Sequence, residues 1–420
     1  MGKTFGLLGA KLGHSFSPLI HSYLGDYEYP LYEISSGIFD VFMTKRRFDG
    51  INVTIPYKQA VMPYCASLSE EARAIGSVNT IIKDEDGLLH GHNTDYYGFS
   101  VMFKQGSIDP NGKKVLVLGD GGAARTVRAV LNGLGAREIV TISRRGENHY
   151  GNISRHYDAE IIVNTTPVGM YPDNGNAPLS LEGFGRLAGV ADLIYNPMRT
   201  KLLLKAERIG VPCIDGLFML VAQAEMASQL FTGGVARPEQ IVKIATEIRN
   251  KTRNIALIGM PGCGKSAVGR SLAQNTGKPF ADIDALIEKA AGKSIPDIFT
   301  VNGEEVFRRL ETRILSEESR KNGLVIATGG GVVTRPENLD LLRQNSFVVY
   351  LKRDLADLNV DGRPLSKAIG VTALAEQRLP LYEAWCDCAV QVEAGSDETA
   401  ARIIEAMQYP RLHNIHILNT

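Results

Sequence analysis

The stretch GMPGCGKS at residues 259–266 has the spacing of a phosphate-binding loop, G-x-x-x-x-G-K-S/T, between an apolar run and a helical pattern. In such a loop, backbone N–H groups around Gly262 and Gly264 surround the phosphates of a nucleoside triphosphate. Lys265 reaches the β and γ oxygens, and the Ser266 hydroxyl ligates Mg²⁺. We therefore predict a site for Mg²⁺ and a nucleoside triphosphate in the second half of the chain.

A second glycine-rich stretch, GDGGAAR, lies in the first half between a strand-like run and a helical pattern. Gly119, Gly121, Gly122 and Ala123 would let backbone N–H groups approach a pyrophosphate at a helix N-terminus. The spacing departs from G-x-G-x-x-G, so a purely structural turn is an alternative on this pattern alone. The next predicted strand ends with Ser143, Arg144 and Arg145, where an NAD site would want an acidic residue. Hydroxyl and guanidinium donors suit a 2′-phosphate, and together with the loop they favour NADP(H) over a merely solvated strand end.

Two carboxylates follow the phosphate-binding loop in FADID. Asp282 and Asp284 are alternate residues at the end of a predicted strand, so we expect both to point to one face. One carboxylate would hold hydrated Mg²⁺, and the other would take a proton from an acceptor hydroxyl. The alternative is that both aspartates cap the helix that follows.

Polar side chains are dense in the first hundred residues, in GHSFSP, NVTIPYK, SVNT and GHNTDYYG. Polar groups at the carboxyl ends of strands are where α/β sheets bind ligands. Taken singly, each has a structural interpretation as a helix cap, a turn residue or a surface lysine. Taken together, they predict a polar ligand site.

The elements that must position these residues alternate between short β-branched runs and helical patterns, which predicts parallel sheets covered by helices. A hairpin is predicted for VNTIIKDEDGLLHGHN, with its turn at DEDG. A charged helix at 234–253 closes the first part, and a new strand, NIALIG, follows a boundary near Lys251.

Composition narrows the ligand class. The chain has 420 residues, which predicts two or three domains, and its 46 Lys and Arg balance 46 Asp and Glu. Because the charges balance, the chain has no net positive charge to attract nucleic acid or an acidic membrane, so we expect small polar ligands. The five cysteines are scattered and form no CxxC pair, so we expect them to be reduced. The sequence shows no secretory leader and no apolar run long enough to cross a bilayer, so we expect a cytoplasmic protein.

Residues 4 to about 232 resemble the shikimate dehydrogenase family. The ordered matches include HSFSP, NVTIPYK, VNT, NTD, GDGGAA, NTTPVGM, DLIYNPMRT and DGLFMLVAQ. The resemblance implies reduction of 3-dehydroshikimate by NADPH, with Lys58 and Asp95 as the catalytic pair. It further implies carboxylate contacts from Ser15 and Ser17, other substrate contacts from Thr54, Asn79, Tyr195 and Gln223, and a nicotinamide pocket with Gly216 and Met219. Two positions depart from the family pattern. Lys11 stands where the family usually has Pro, and Ser143, Arg144 and Arg145 stand where it has Asn-Arg-Thr.

Residues 254 to about 409 resemble shikimate kinase, through the phosphate-binding loop and through FADID, GEEVFRRLETRI, ATGGGVV, DGRPLS and QRLPLYEAW. The resemblance implies phosphoryl transfer from ATP to shikimate. Arg308 and Arg378 would bind the substrate carboxylate, Asp284 the reacting hydroxyl, and glycines 329–331, centred on Gly330, the ring. Arg363 in the predicted lid would close on the transferring phosphate, and Phe307 would form a pocket wall. The lid lacks the arginine that the family stacks on adenine, and Arg353 is a candidate substitute.

The two resemblances name successive reactions, which predicts a bifunctional α/β enzyme that makes shikimate and then phosphorylates it. We expect a shikimate-binding lobe at 1–99 plus 217–250, a Rossmann-type NADP lobe at 100–216, a P-loop kinase domain with a parallel sheet at 253–410, and a tail at 411–420. One alternative is another specificity, such as a quinate or shikimate dehydrogenase using NAD. Another is that only one half is catalytic and the other binds a ligand or regulates. Oligomeric state is left open.

Overall fold

The computed structural model describes residues 3–13, 15–235, 237–358, 370–392 and 395–408. The chain divides into two compact units, Met1–Ile248 and Arg249–Thr420. Arg363, the rest of the predicted lid and the tail at 411–420 lie outside the described residues. The domain boundaries stated above stay predictions. Within the described residues, no helix combines the length and apolarity needed to cross a bilayer.

Lobe A of the first unit is built on a six-stranded mixed sheet in the order β2-β1-β3-β5-β6-β4. The predicted hairpin is present, because β5 and β6 pair antiparallel. Buried side chains of this lobe, including Leu8, Ile51 and Ile81, form its core. The strands are β1 (Phe5–Gly9), β2 (Leu31–Glu33), β3 (Gly50–Val53), β4 (Ser67–Leu68), β5 (Thr80–Lys83) and β6 (Leu89–His92), with helices α1 (Ser17–Leu24), α2 (Phe39–Lys45) and α3 (Glu70–Ile75).

Lobe B contains a five-stranded, fully parallel sheet in the order β11-β10-β9-β7-β8. This is a doubly wound order, and the strand order reverses beside β7, which ends at the first glycine turn. The strands are β7 (Lys114–Leu118), β8 (Glu138–Ile142), β9 (Ile161–Asn164), β10 (Gly189–Asp192) and β11 (Cys213–Ile214), with helices α5 (Gly122–Gly133) and α6 (Lys201–Arg208).

The first unit also contains the helices α4 (Asp95–Gln105) and α7 (Leu217–Thr232) and most of α8 (Pro238–Thr252), which runs past the unit boundary at Ile248. The backbones of α4 and α7 approach closely, because a Cβ at Gly98 would lie 2.6 Å from the Met219 carbonyl oxygen. Both helices carry predicted ligand residues at their N-terminal ends, so this close packing fixes those residues against each other.

The second unit has a five-stranded parallel sheet in the order β13-β14-β12-β15-β16. The phosphate-binding loop joins β12 to α9, as the sequence predicts. The strands are β12 (Asn254–Ile258), β13 (Phe280–Asp282), β14 (Val325–Ala327), β15 (Ser346–Lys352) and β16 (Cys388–Gln391). The helices are α9 (Lys265–Thr276), α10 (Ile283–Ala291), α11 (Ile295–Ser319), α12 (Glu337–Arg343), α13 (Val371–Trp385) and α14 (Ser396–Gln408).

One detail of the sequence interpretation is wrong. Asp282 and Asp284 are not alternate residues of one strand, because β13 ends at Asp282 and α10 begins at Ile283. Asp282 is the N-cap, and its Oδ1 accepts from the N–H groups of Asp284 at 3.1 Å and Ala285 at 3.4 Å. An aspartate followed by an apolar helical pattern favours this cap over a longer strand.

Candidate active sites

A cavity of about 460 Å³ in the first unit is lined by residues of both lobes. It lies at the carboxyl ends of β1 and β3 and is bordered by the N-terminal ends of α4 and α7. Ten residues predicted to bind substrate or cofactor line it: Ser15, Ser17, Thr54, Lys58, Asn79, Asp95, Tyr195, Gly216, Met219 and Gln223. The structure therefore brings together residues as distant in the chain as Ser15 and Gln223.

The charged centre of the cavity is the pair Lys58 and Asp95. Lys58 Nζ donates to Asp95 Oδ2 at 2.6 Å, and the two side chains are 30% and 14% exposed. An ammonium has three N–H donors, so this contact leaves hydrogens for a ligand oxygen in the cavity. The Lys58 backbone is fixed by the Val78 N–H, which donates to its carbonyl oxygen at 2.8 Å.

Amide side chains form a rigid wall beside this pair. Asn79 is 2% exposed; its Oδ1 accepts from the Thr94 N–H at 2.7 Å, and its Nδ2 donates to Thr94 Oγ1 at 3.0 Å. Asn52 also lines the cavity, donates to Thr80 Oγ1 at 3.0 Å and accepts from the Tyr29 hydroxyl at 2.6 Å. Sequence analysis missed Asn52, although it is the first residue of the NVTIPYK motif.

The segment after β10 carries Tyr195 into the cavity, and buried Asp192 anchors it. Asp192 accepts from the Ile194 N–H at 3.1 Å and from Thr200 Oγ1 at 2.7 Å, and burial raises its pKa to about 6. The Tyr195 ring packs against Phe16 with 5.4 Å between centroids, and burial raises the pKa of the Tyr195 hydroxyl. Sequence analysis did not assign Asp192 a role; its signal is an acidic residue ending an apolar strand.

The first glycine turn has room for a phosphate group. Gly119 has φ +100°, and a Cβ there would lie 2.9 Å from Thr165 Oγ1, so glycine is required. Gly121 is the N-cap of α5, and a Cβ there would meet nothing within 4 Å. A Cβ at Gly122 would meet only Arg125 Nη2, at 3.9 Å. The space beside the first turn of α5 is therefore open, and the N–H groups of that turn lack intrahelical acceptors, which fits a pyrophosphate.

The side chains after β8 differ in availability. The Ser143 hydroxyl donates its hydrogen to the Arg145 carbonyl oxygen, so it has no second hydrogen for a phosphate. Arg144 and Arg145 are exposed, and neither forms an ion pair with another residue in the described part of the chain. Their guanidinium groups, rather than Ser143, are the free donors at this strand end.

The phosphate-binding loop of the second unit has the backbone that its glycines require, with φ of +85° at Gly262 and +101° at Gly264. Lys265 is 8% exposed, and its Nζ donates to the carbonyl oxygens of Gly259 at 2.9 Å and Met260 at 3.0 Å. The lysine is therefore held inside its own loop, at the N-terminus of α9.

Ser266 and Asp282, predicted to serve Mg²⁺, are adjacent: Ser266 Oγ donates to Asp282 Oδ2 at 2.6 Å. Within the described ranges, no three His, Cys, Asp or Glu side chains converge as a metal cluster. Mg²⁺ usually keeps several waters and uses one or two protein oxygens plus substrate phosphates. A hydroxyl beside a carboxylate fits that requirement.

A buried charged group surrounds the glycine turn after β14. Arg308 is 5% exposed and donates from Nη1 to Glu311 Oε2 at 2.7 Å and from Nη2 to Glu304 Oε1 at 3.1 Å. A Cβ at Gly329 would lie 2.8 Å from Asp284 Oδ1 and even closer to Glu311. Burial, helped by the Glu311 carboxylate, raises the pKa of Asp284 to about 6. Sequence analysis missed Glu311.

Arg378 reaches the same turn from α13, where it is 3% exposed. Its Nη1 donates to the Gly330 carbonyl oxygen at 3.3 Å, and the buried Tyr382 hydroxyl donates to that same oxygen. A Cβ at Gly330 would lie 2.6 Å from Pro261 Cδ, so the turn touches the phosphate-binding loop. Arg353, the candidate adenine contact, has Nη1 3.8 Å from the Cβ position at Gly264.

Comparisons with known proteins match both halves of the chain. The family model for the shikimate dehydrogenase substrate binding domain matches residues 7–81. Shikimate dehydrogenase (NADP(+)) of Clostridium perfringens strain SM101 is 38% identical over 259 residues, covering 55% of this chain and 93% of that protein. The chain belongs to the shikimate dehydrogenase family. The family model for shikimate kinase matches residues 261–408, so the predicted fusion of two enzymes of the shikimate pathway is confirmed.

Solved structures support the fold of the first unit. A chorismate mutase/shikimate 5-dehydrogenase fusion protein from Clostridium acetobutylicum superposes with a TM-score of 0.56 at 34% identity, covering 59% of this chain and 97% of that one. Shikimate 5-dehydrogenase from Thermus thermophilus, in complex with NADP(H) and shikimate, gives a TM-score of 0.53 at 31% identity, covering 58% and 99%. The predicted two-lobed α/β dehydrogenase fold is confirmed.

Proposed function

We propose that both halves are catalytic and act in sequence. The first unit reduces 3-dehydroshikimate to shikimate with NADPH, and the second phosphorylates shikimate to shikimate 3-phosphate with Mg²⁺ and ATP. The observation that carries the first reaction is the Lys58–Asp95 pair inside a cavity of suitable size and polarity. For the second, it is the convergence of Asp284, Arg308 and Arg378 on the glycine turn beside the phosphate-binding loop.

In the reduction, a hydride reaches the ketone carbon and a proton reaches its oxygen. The Lys58 ammonium, within the cavity, donates a hydrogen bond to the carbonyl oxygen and then a proton to the developing alkoxide. Asp95 keeps the ammonium oriented by accepting from Nζ at 2.6 Å and has a second oxygen for a substrate hydroxyl. Ser15 and Ser17 would donate to the carboxylate, and Thr54, Asn79, Tyr195 and Gln223 would contact the remaining polar groups of the substrate.

The residues of lobe B fit NADP(H). The backbone N–H groups of Gly121, Gly122 and Ala123, beside the open space at the two glycines, would hold its pyrophosphate, and Arg144 and Arg145 its 2′-phosphate. Gly216 and Met219 line the cavity where the nicotinamide would face the substrate. The bound cofactor supplies the hydride.

In the phosphorylation, Asp284 accepts the proton of the reacting hydroxyl while that oxygen forms a bond to the γ-phosphorus and the bond to ADP breaks. Arg308 and Arg378 bind the substrate carboxylate and so orient the ring. Lys265 donates to the phosphate oxygens. Ser266 and Asp282 would hold Mg²⁺, which neutralises phosphate charge when bound.

The alternative is a chain in which one half only binds a ligand. Retention of Lys58, Asp95, Lys265 and Asp284 in formed sites favours two active halves. The test is one assay of the purified full chain with 3-dehydroshikimate, NADPH, ATP and Mg²⁺, following NADPH absorbance and ADP release. We expect both signals and shikimate 3-phosphate as product. NADPH oxidation without ADP release, or phosphorylation of added shikimate without NADPH oxidation, would establish the one-active-half alternative. Faster turnover with NADH than with NADPH would reject the cofactor assignment.

A further inference from the structure

One polar contact in the first unit joins lobe A directly to lobe B. Gln59, the residue after Lys58, meets Arg125 of α5 through its side-chain amide. The amide oxygen accepts from Nη1 at 2.9 Å and from Nη2 at 3.1 Å. The reverse amide orientation would place an NH₂ group against two guanidinium donors, so the amide is assigned with its oxygen toward Arg125 from these partners.

Each end of this contact is attached to a part of the reaction centre. On the lobe A side, the Met62 N–H donates to the Gln59 carbonyl at 3.1 Å and the Val78 N–H to the Lys58 carbonyl at 2.8 Å, so Gln59 and Lys58 move together. On the lobe B side, Arg125 Nη2 lies 3.9 Å from the Cβ position of Gly122, in the open turn that fits a pyrophosphate. The Nε of Arg125 is buried without a partner among the described residues.

We propose that the Gln59–Arg125 contact sets the separation between the cofactor turn and Lys58, which makes both side chains positioning residues for hydride transfer. This inference rests on the proposed dehydrogenase activity. The lobes also touch where α3 packs against α5, but the amide–guanidinium contact is the one adjacent to Lys58 in sequence. Since hydride transfer requires close, aligned approach of donor and acceptor, a small change in lobe separation lowers the rate without removing any group that touches substrate.

The experiment compares Gln59→Ala, Arg125→Ala and the double variant with the unmodified chain. We expect each single substitution to lower kcat for 3-dehydroshikimate reduction about tenfold, with its KM changed by less than about twofold. The double variant should be no slower than the slower single variant, because both remove the same contact. The primary isotope effect on kcat with 4-deuterated NADPH should rise, since hydride transfer becomes more rate-limiting.

Two variants test the chemistry of the contact. Gln59→Glu keeps acceptor oxygens for the guanidinium and should stay within about threefold of the unmodified kcat. Arg128→Ala is the matched control: it lies one turn further along α5, its Nη1 donates to Thr141 Oγ1 at 3.1 Å, and its loss should leave kcat unchanged. Shikimate phosphorylation by the same preparations reports on folding of the rest of the chain.

The outcomes separate this inference from the proposed function. An unmodified chain that does not oxidise NADPH overturns both. An active unmodified chain whose Gln59→Ala variant keeps full kcat, or whose single effects add in the double variant, overturns the positioning role alone. A slow Gln59→Glu variant overturns it as well.

Discussion

The two reaction centres hold their charged groups in opposite ways. In the first unit, Lys58 is 30% exposed in a cavity and donates to Asp95, its one ion-pair partner among the described residues. In the second, Lys265, Arg308 and Arg378 are each at most 8% exposed, and each donates to oxygens of the protein itself. A ligand of the first site can bind to hydrogens of the Lys58 ammonium that Asp95 does not use. A ligand of the second site must displace the protein oxygens that already accept hydrogen bonds from the buried cations.

The physical reason is the cost of burying charge. An isolated cation out of water is strongly destabilising, so a buried arginine or lysine needs protein acceptors when no ligand is bound. Glu311 serves Arg308 in this way, and burial raises the pKa of Glu311. The pKa of Asp284 is raised by its own burial and, to a smaller extent, by the Glu311 carboxylate. A site proposed to bind phosphates and a carboxylate therefore carries its own carboxylates, and we expect their protonation to control ligand binding.

The largest effect should come from Lys58→Ala, which removes the proposed proton donor of the first site. We expect 3-dehydroshikimate reduction to fall about a thousandfold, while phosphorylation of added shikimate stays unchanged. The measurement is the initial rate of each half-reaction on the same preparation. Substitution of the half-buried Lys113, which belongs to neither site, to Ala is a control that should alter neither activity. Loss of both activities in Lys58→Ala would contradict separate sites.

Lys265→Ala should reverse that pattern. Without the ammonium at the phosphates, we expect phosphorylation to fall by two to three orders of magnitude, roughly, with reduction of 3-dehydroshikimate unaffected. Following ADP release and NADPH oxidation separately tests this. An equal loss in both rates would mean that the lysine acts on the whole chain rather than on one site.

Asp284→Asn should trade activity for stability. A pKa of about 6 against 3.8 means that ionising Asp284 in the folded chain costs free energy, a cost absent below about pH 4 and complete above pH 6. The variant should therefore lose phosphorylation but gain up to about 3 kcal/mol in the free energy of unfolding of the second unit at pH 8. Urea unfolding at pH 8 and pH 4 measures this; an equal gain at both values would show that ionisation is not its cause.

The pH dependence of phosphorylation by the second unit should reflect the ionisation of Asp284. Below about pH 6, Asp284 becomes neutral and cannot accept the hydroxyl proton, so kcat for phosphorylation should decline as pH falls through that value. A profile of kcat from pH 5 to 8 at saturating ligands checks the expectation. A kcat that is flat across this range would remove Asp284 as the base.

The smallest effects concern cofactor choice in the open site. Arg144→Ala should raise KM for NADPH about tenfold, because a charge-assisted contact to the 2′-phosphate is lost. Ser143→Ala should change it by less than about threefold, because that hydroxyl already donates to Arg145. A larger effect of Ser143→Ala than of Arg144→Ala would reverse this assignment.

Much of the fold could be predicted because its signals are local. The glycine spacing predicts the turns after β7 and β12, and the alternation of apolar runs and helical patterns predicts the parallel sheets. The boundary between β13 and α10 could not be predicted, because an aspartate before an apolar residue suits both a strand end and a helix cap. Only the hydrogen bonds that Asp282 accepts from the start of α10 distinguish the two.

The site residues also divide into those that could be predicted from the sequence and those that could not. Motif residues such as Lys58 and Arg378 could be named from sequence because family patterns retain them. Asn52, Asp192, Glu311 and Gln59 could not, because they act by holding other groups. Their partners, such as Thr80 for Asn52 and Arg125 for Gln59, are distant in sequence. The outcome for Arg363 and its lid lies outside the described residues.

The turn at Gly330 bears on inhibitor resistance. Its backbone is wedged against Pro261 on one side and receives hydrogen bonds from Tyr382 and Arg378 on the other. A compound that binds along this turn would meet a position where any added side chain collides with the loop that holds the nucleotide. A substitution at Gly330 that prevented such a compound from binding would therefore also inactivate the enzyme.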